Sequence, residues 1–409
     1  LSGLNIKKQW IVSTSNFILF DDSSWEQLLP LTFSKPVAEI RFGINTVKEK
    51  WENILESKCS YLTRPYLSIK YNTLFKEENV LINSSVMPDS DILSEINNLK
   101  VNEALVKGEV IIAINTADKS LNEVNTEILK EYRQIQSKCN FFKINHLWQL
   151  FKHNGEAIVN DFKIITKGRN SIDISKNNNL INPENIFVEE GATAKFVTIN
   201  ASTGPVYIGK NAEIMEGSVI RGPFALCEHS ILKMGAKIYG PTTVGPYSKA
   251  GGEVNNCVIT GNSNKAHDGF LGNSVLGEWC NIGADTNSSN LKNNYDNVKL
   301  WNYISEKFEK TDQQFCGLIM GDHSKCGINT MFNTGTVVGF NANIYGCGYP
   351  RNFIPSFSWG GPTGFTTYLL PKAIETAERV MGRRDTKLTG QDKQIFEKIF
   401  EMTSKYRRF

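Results

Sequence analysis

The chain has 409 residues, 40% hydrophobic and 21% charged, a globular composition long enough for two or three cores rather than one. Its 45 basic and 42 acidic residues leave a net charge of only +3 and form no basic stripe, which excludes nucleic acid as a partner. No apolar run approaches the roughly 18 residues of a membrane span, and the eight cysteines contain no C-x-x-C pair, so the expectation is a cytoplasmic protein with reduced thiols, away from membranes.

The chain begins with Leu and shows no apolar signal core; residues 1–16 are set apart as a leader or extension, and the first strand is read at Phe17-Ile18-Leu19-Phe20. Residues 17–51, "FILFDDSSWEQLLPLTFSKPVAEIRFGINTVKEKW", run from that strand through Asp21 and Asp22 and a loop into a helix-compatible stretch. This resembles the start of sugar-1-phosphate nucleotidyltransferases, in a divergent bacterial branch that lacks the Gly-rich signature. In ordinary members a G-x-G-T-R loop cradles the phosphates of an NTP with backbone N–H groups. The resemblance therefore implies that Lys35 and Arg41 supply positive charge to the triphosphate of UTP or dTTP, that Gly43 allows close backbone approach, and that Asp21 and Asp22 line the substrate site. The implied reaction is attack of a sugar 1-phosphate on the α-phosphorus, assisted by Mg²⁺. Where the family places a metal-binding Asp, "VLINSSVMPDSD" has Asn83, with Asp89 and Asp91 as the nearest carboxylates. The expected unit is an α/β domain over 17–165 with a Rossmann-like sheet. In the alternative, these charges are solvated loop residues on a degenerate domain that only recognises a nucleotide sugar.

Every sixth residue from Ile208 is apolar: Ile208, Ile214, Ile220, Leu226, Leu232, Ile238, Val244 and Ala250. The frame returns as Phe270, Leu276, Ile282, and again as Met320, Cys326, Phe332, Val338, Ile344. A period of six matches neither a helix nor simple strand alternation; it matches one side of a triangular coil, the hexapeptide form of the left-handed parallel β-helix. That fold is expected over 166–350, with the repeat itself from about 186 to 346. Hexapeptide β-helices include acyltransferases and γ-class carbonic anhydrases. The latter need three histidine ligands, two of them close in sequence, and His229, His267 and His323 have no such spacing.

The segment 256–269 leaves the hexad frame and is expected to loop out of its coil, carrying His267 toward a neighbouring subunit. From here the chain supplies Lys265, His267, Phe270-Leu271-Gly272, Asn281-Ile282-Gly283-Ala284 and Asn290 in order. This is similar to the acetyltransferase half of the bifunctional glucosamine-1-phosphate acetyltransferase and N-acetylglucosamine-1-phosphate uridyltransferase family, which makes UDP-N-acetylglucosamine. The resemblance implies that His267 is the general base, since an amino sugar must lose a proton as it attacks a thioester. It also implies that Asn290 holds the acceptor or steadies the base, Asn281 binds the sugar phosphate, and the backbone at Ala284 faces the thioester carbonyl of acetyl-CoA. Lys265, Phe270 and Tyr295 join the binding set. The sequence departs from the family where Phe270 replaces a sugar-contacting Tyr and Asn255 a sugar-binding Lys. His323 is a rival base, and His229, inside an unbroken hexad, is read as structural.

After a loop at "SFSWGG", residues 351–409 offer two helices, near Pro371–Arg384 and Thr389–Lys405, the second opened by Thr389 and Asp392 as a capping pair. The resemblance further implies a homotrimer, with Arg383 or Arg384 meeting the phosphates of acetyl-CoA. The reading as a whole is a transferase combining sugar-1-phosphate nucleotidyltransferase and hexapeptide acetyltransferase. The alternatives are an acetyltransferase with a degenerate first domain, or a non-catalytic trimeric scaffold.

Overall fold

A computed structural model describes residues 16–409; the leader assigned to residues 1–16 lies outside the described residues except for Asn16, which opens the first strand. Strand β1 (Asn16–Phe20) is buried along its whole length, as a central strand covered on both faces must be. It pairs in parallel with β2 (Cys59–Leu62) and β3 (Asn79–Asn83). The antiparallel hairpin of β4 (Glu103–Lys107) and β5 (Val110–Thr116) and the edge strand β6 (Arg133–Gln136) complete a six-stranded sheet in the order β2-β1-β3-β5-β4-β6. Helix α1 (Val47–Leu55) starts on a Thr46/Glu49 capping box, and α2 (Ser90–Asn97) on the carboxylate of Asp89. Helices α3 (Leu147–Lys152) and α4 (Asn154–Ile165) close this first unit.

A parallel β-solenoid follows, a left-handed β-helix of about 10 turns, its short strands running from Asn179–Ile181 to Phe353–Ile354. Val206 pairs with Phe224, and Phe224 with Thr242, so three six-residue sides make one coil. All eight residues of the first hexad frame are buried and pack in the solenoid interior, as do Leu276, Ile282, Met320, Cys326, Phe332, Val338 and Ile344.

Three features differ from the sequence reading. The segment 256–269 does not loop out. Glu253–Gly261 is one nine-residue strand paired along its length with Phe270–Glu278. The frame breaks because these coils are shorter: Ile238 pairs with Val254, sixteen residues on, and Val254 with Leu271, seventeen on. Leu271, not Phe270, therefore points inward. The true excursion leaves at Asn290 and returns at Cys316, whose N–H donates to the Asn290 carbonyl at 2.8 Å. It carries a hairpin, Lys299–Asn302 against Lys307–Lys310. Finally, "SFSWGG" is no plain loop, because Ser358–Gly361 adds a strand to Asn343–Ile344 and pairs with Gly364–Thr367.

Helices α5 (Leu370–Gly382) and α6 (Gly390–Met402) fold back on the solenoid, and the predicted Thr389/Asp392 capping box is formed. One buried core joins all three parts: Phe33 and Phe151 of the first unit, Val275, Ile319 and Phe340 on the outer face of the solenoid, and Ala373 and Phe396 of the tail.

Candidate functional sites

Leaving β1, the chain passes to β2 on one side, while β3 lies on the other. In an open α/β sheet that divergence creates a crevice at the carboxyl ends of the strands, and here a cavity of about 530 Å³ is lined by Asp22, Glu26, Arg64, Asn83, Glu109 and Glu123, among others. Asp21 forms its floor and is structural: its carboxylate accepts from the Val37 N–H at 2.9 Å, Thr63 Oγ1 at 2.5 Å and Ser84 Oγ at 3.0 Å. Burial pushes its pKa up to about 6 against these hydrogen bonds. At Asp22, burial would raise the pKa, but Lys143 at 3.0 Å, the Asn83 amide at 3.0 Å and the Ser24 N–H at 2.9 Å outweigh it and hold the carboxylate ionised.

Lys35, Arg41 and Gly43 are elsewhere. Lys35 is buried in ion pairs with Asp322 (3.0 Å) and Glu278 (3.2 Å) of the solenoid; burial opposes its charge, but these two carboxylates win and raise its pKa. The Arg41 guanidinium donates to the Thr260 carbonyl at 3.0 Å and to Ile44. Gly43 (φ +82°) accepts from Thr243 Oγ1 at 3.0 Å and donates to the Asn154 side chain at 3.1 Å. A Cβ at Gly43 would lie 2.8 Å from the Ala157 backbone, so its freedom serves docking against α4. The segment expected to clamp a triphosphate thus fastens the first unit to the solenoid.

The cations beside the crevice are Arg64, held by Glu26 at 2.6 and 2.7 Å and stacked over Trp25, and Lys143. Sequence reasoning missed both. Arg64 had a signal, an Arg-Pro just past the end of β2; Lys143 had none, since only a bridge to Val86 brings it to β3.

The residues proposed for Mg²⁺ do not fit it. Asp89 accepts from the N–H groups of Asp91 (2.9 Å) and Ile92 (2.8 Å) as a helix cap. The Asn83 oxygen already accepts from Ser85. Among the described residues no group of three or more His, Cys, Asp or Glu could hold a metal ion.

On the solenoid, Lys265 points inward yet sends its ammonium to the corner, donating to the carbonyls of His267 (2.6 Å) and Asp268 (3.2 Å). Burial pushes its pKa down to about 8. It pins a turn on which His267 is exposed. The next coil lies against that turn through the Asp285 N–H, 3.1 Å from the Asp268 carbonyl; Ala284 is therefore one residue from the contact, and its own N–H has no partner among the described hydrogen bonds. Phe270 and Asn290 meet over Gly272, where an added Cβ would lie 2.5 Å from the Phe270 ring and 2.6 Å from the Asn290 amide. That amide donates to Asn273 Oδ1 at 2.8 Å. Tyr295 stands exposed on the excursion.

Asn281 faces a different side. It pairs between Asn264 and Lys325 and lines a groove of about 430 Å³ with Lys249, Trp279, Lys325, Arg383 and Arg384. Arg384 reaches Asn264 Oδ1 at 2.9 Å and the Tyr247 carbonyl. The groove is cationic without a lining carboxylate, and burial pushes the Lys325 pKa down to about 8. His323 is unsuited as a base. It is buried among Trp279, Phe340 and Phe396, and burial first, then Lys325 and Lys35, holds its pKa well below the usual value. His229 stacks on Tyr247 at a corner with φ +53°.

Residues 17–170 match the family model for sugar nucleotidyl transferase. The match covers the first unit and its exit into the solenoid. The chain is similar to the bifunctional protein GlmU of Wigglesworthia glossinidia brevipalpis, with 26% identity over 77% of this chain and 59% of that one. It is also similar to a bifunctional sugar-1-phosphate nucleotidylyltransferase/acetyltransferase of Sulfurisphaera tokodaii, with 26% identity over 67% of this chain and 69% of that one. A segment of 92 residues is 35% identical to GlmU of Methanococcus aeolicus and spans only 22% of each chain.

Proposed function

We propose that this protein is a transferase with two sites. The solenoid transfers an acetyl group from acetyl-CoA to the amine of an amino-sugar 1-phosphate, and the first unit joins a sugar 1-phosphate to a nucleotide, together making a nucleotide sugar of the UDP-N-acetylglucosamine kind. The observation that carries the reading is the corner where Lys265 pins an exposed His267, with Phe270 following on its coil and with Asn290 and the Ala284 N–H, which has no partner among the described hydrogen bonds, on the coil stacked next to it. In the proposed step the amine attacks the thioester carbonyl, neutral His267 takes the amine proton, the Ala284 N–H meets the developing oxyanion, and coenzyme A leaves as its thiolate. The cationic groove around Asn281, Arg383 and Arg384 suits a phosphate-bearing part of either substrate.

For the first unit, the crevice at the ends of β1 and β3 is the nucleotide site. A cytoplasmic homotrimer, with acetyl-CoA between coils, belongs to the same proposal. All eight cysteines are free, as in a reducing compartment. Among the described residues no helix is long and apolar enough to cross a membrane. The test is product formation by purified protein, first from glucosamine 1-phosphate and acetyl-CoA, then from UTP or dTTP with a panel of sugar 1-phosphates, and sedimentation for the trimer. Acetyl transfer without nucleotidyl transfer would reduce the first unit to nucleotide-sugar binding. Neither activity in a sedimenting trimer would leave a scaffold.

A further inference from the structure

The excursion between Asn290 and Cys316 carries a feature that the two proposed sites do not use. Its hairpin pairs Trp301 with Phe308 and Lys299 with Lys310. Alternate residues of a strand share a face, so both aromatic rings and both ammonium groups stand on one side. Two like charges directly opposite one another destabilise a hairpin. Nothing described relieves them: neither lysine forms a described ion pair, and no carboxylate lines the groove that Lys299 borders. The 15 residues preceding Asn16 contain no Asp or Glu that could do so.

That groove has a volume of about 770 Å³ and is lined by Lys292, Lys299, Trp301, Phe308, Arg351 and Phe353, with Thr334 and Asn352 at its edge. Trp301 and Phe353 stack at 4.2 Å, Phe308 meets Trp301 edge-on at 5.5 Å and is 42% exposed, and the buried Trp301 Nε1–H has no acceptor among the described residues. Arg351 is exposed and forms no described ion pair. Lys292 is already held by Asp296 at 3.8 Å, but an apolar partner would leave Lys299 and Arg351 desolvated and unpaired, which is costly. A ligand with a flat ring and attached anionic groups answers both halves of the groove: the ring lies against the aromatic side chains and phosphates take the cations.

We infer that this groove binds a nucleoside phosphate, its base against Phe308 and Trp301 and its phosphates on Lys299 and Arg351. Lys292 is two residues beyond Asn290, so the groove opens beside the proposed acetyl-transfer corner. One chemistry has two sources here, a free nucleotide or the phosphorylated adenosine end of coenzyme A. The inference rests on the hairpin and not on the transferase reading, and its test reads binding rather than turnover.

The experiment is isothermal titration of the full chain with UDP, with adenosine 3′,5′-bisphosphate and with desulfo-coenzyme A. It is repeated on Phe308→Ala and on Lys299→Gln/Arg351→Gln, all exposed positions whose replacement leaves the core intact. The expected result is saturable binding of at least one ligand, weakened about tenfold or more in each variant. Preference for UDP assigns the groove to free nucleotide; preference for the adenosine ligands assigns it to the acyl donor. The inference is overturned if no ligand binds, if binding is unchanged in both variants, or if Phe308→Ala instead shifts the sedimenting mass, which would make the groove a contact between copies.

Discussion

Asp21 titrates at about 6 in the folded chain against an ordinary value of 3.8. Between about pH 4 and pH 6 the folded state holds a proton that the unfolded chain has released, so this group lowers stability as pH rises through that window. Asp21→Asn removes the titration while an amide can still serve Val37, Thr63 and Ser84. Urea unfolding at pH 4, 5 and 6 should show the fall reduced by up to about 2–3 kcal/mol; an unchanged slope would place the titrating group elsewhere. At the acetyl-transfer corner, Lys265 is a positioning residue, acting through the turn it pins. Lys265→Met should lower kcat about tenfold with little change in KM for acetyl-CoA, because a misplaced base slows chemistry more than donor binding. A rise in KM alone would instead put the ammonium on the ligand.

Among elements, the solenoid was the most legible, because a six-residue period needs only local sequence to be read and each inward position repeats the same demand. Where the period failed, only the place of the interruption was legible. A coil shortened by one or two residues and a coil that loops out both break the frame, and only the pairing of Glu253–Gly261 with Phe270–Glu278 tells them apart. The segment 32–46 was misread for a different reason. A lysine and an arginine near a nucleotide fold suit a phosphate clamp until the partners are known, and those partners, Asp322, Glu278 and the Thr260 carbonyl, lie far along the chain. The docking role makes its own prediction. Lys35→Ala strands the buried Asp322 carboxylate and should cost about 3–5 kcal/mol in denaturant unfolding, whereas Lys35→Met with Asp322→Asn should recover much of it. Were Lys35→Ala as stable as the parent yet unable to bind nucleotide, the clamp reading would return.

At the scale of the molecule, one core runs through the first unit, the outer face of the solenoid and the tail helices. Phe396 of α6 covers Phe340 at 4.8 Å and His323 at 5.0 Å. Removing residues 370–409 should therefore expose a broad aromatic surface, seen as dye binding and loss of near-ultraviolet circular dichroism, and not merely shorten the chain. Retained near-ultraviolet signal after that truncation would show that the tail is an independent appendage. The shared core also places the two proposed sites on one rigid support, joined by the excursion, where Tyr303 packs on Phe33 at 5.3 Å and Asn302 donates to Gln27 at 3.1 Å. The measurement that bears most directly on the proposed function is the initial rate of acetyl transfer from acetyl-CoA to glucosamine 1-phosphate by the parent and by His267→Ala, with unfolding followed in parallel. The account predicts a rate lower by roughly 10²–10⁴-fold in the variant, with stability unchanged because His267 is exposed on its turn. Equal rates in the two proteins would contradict it.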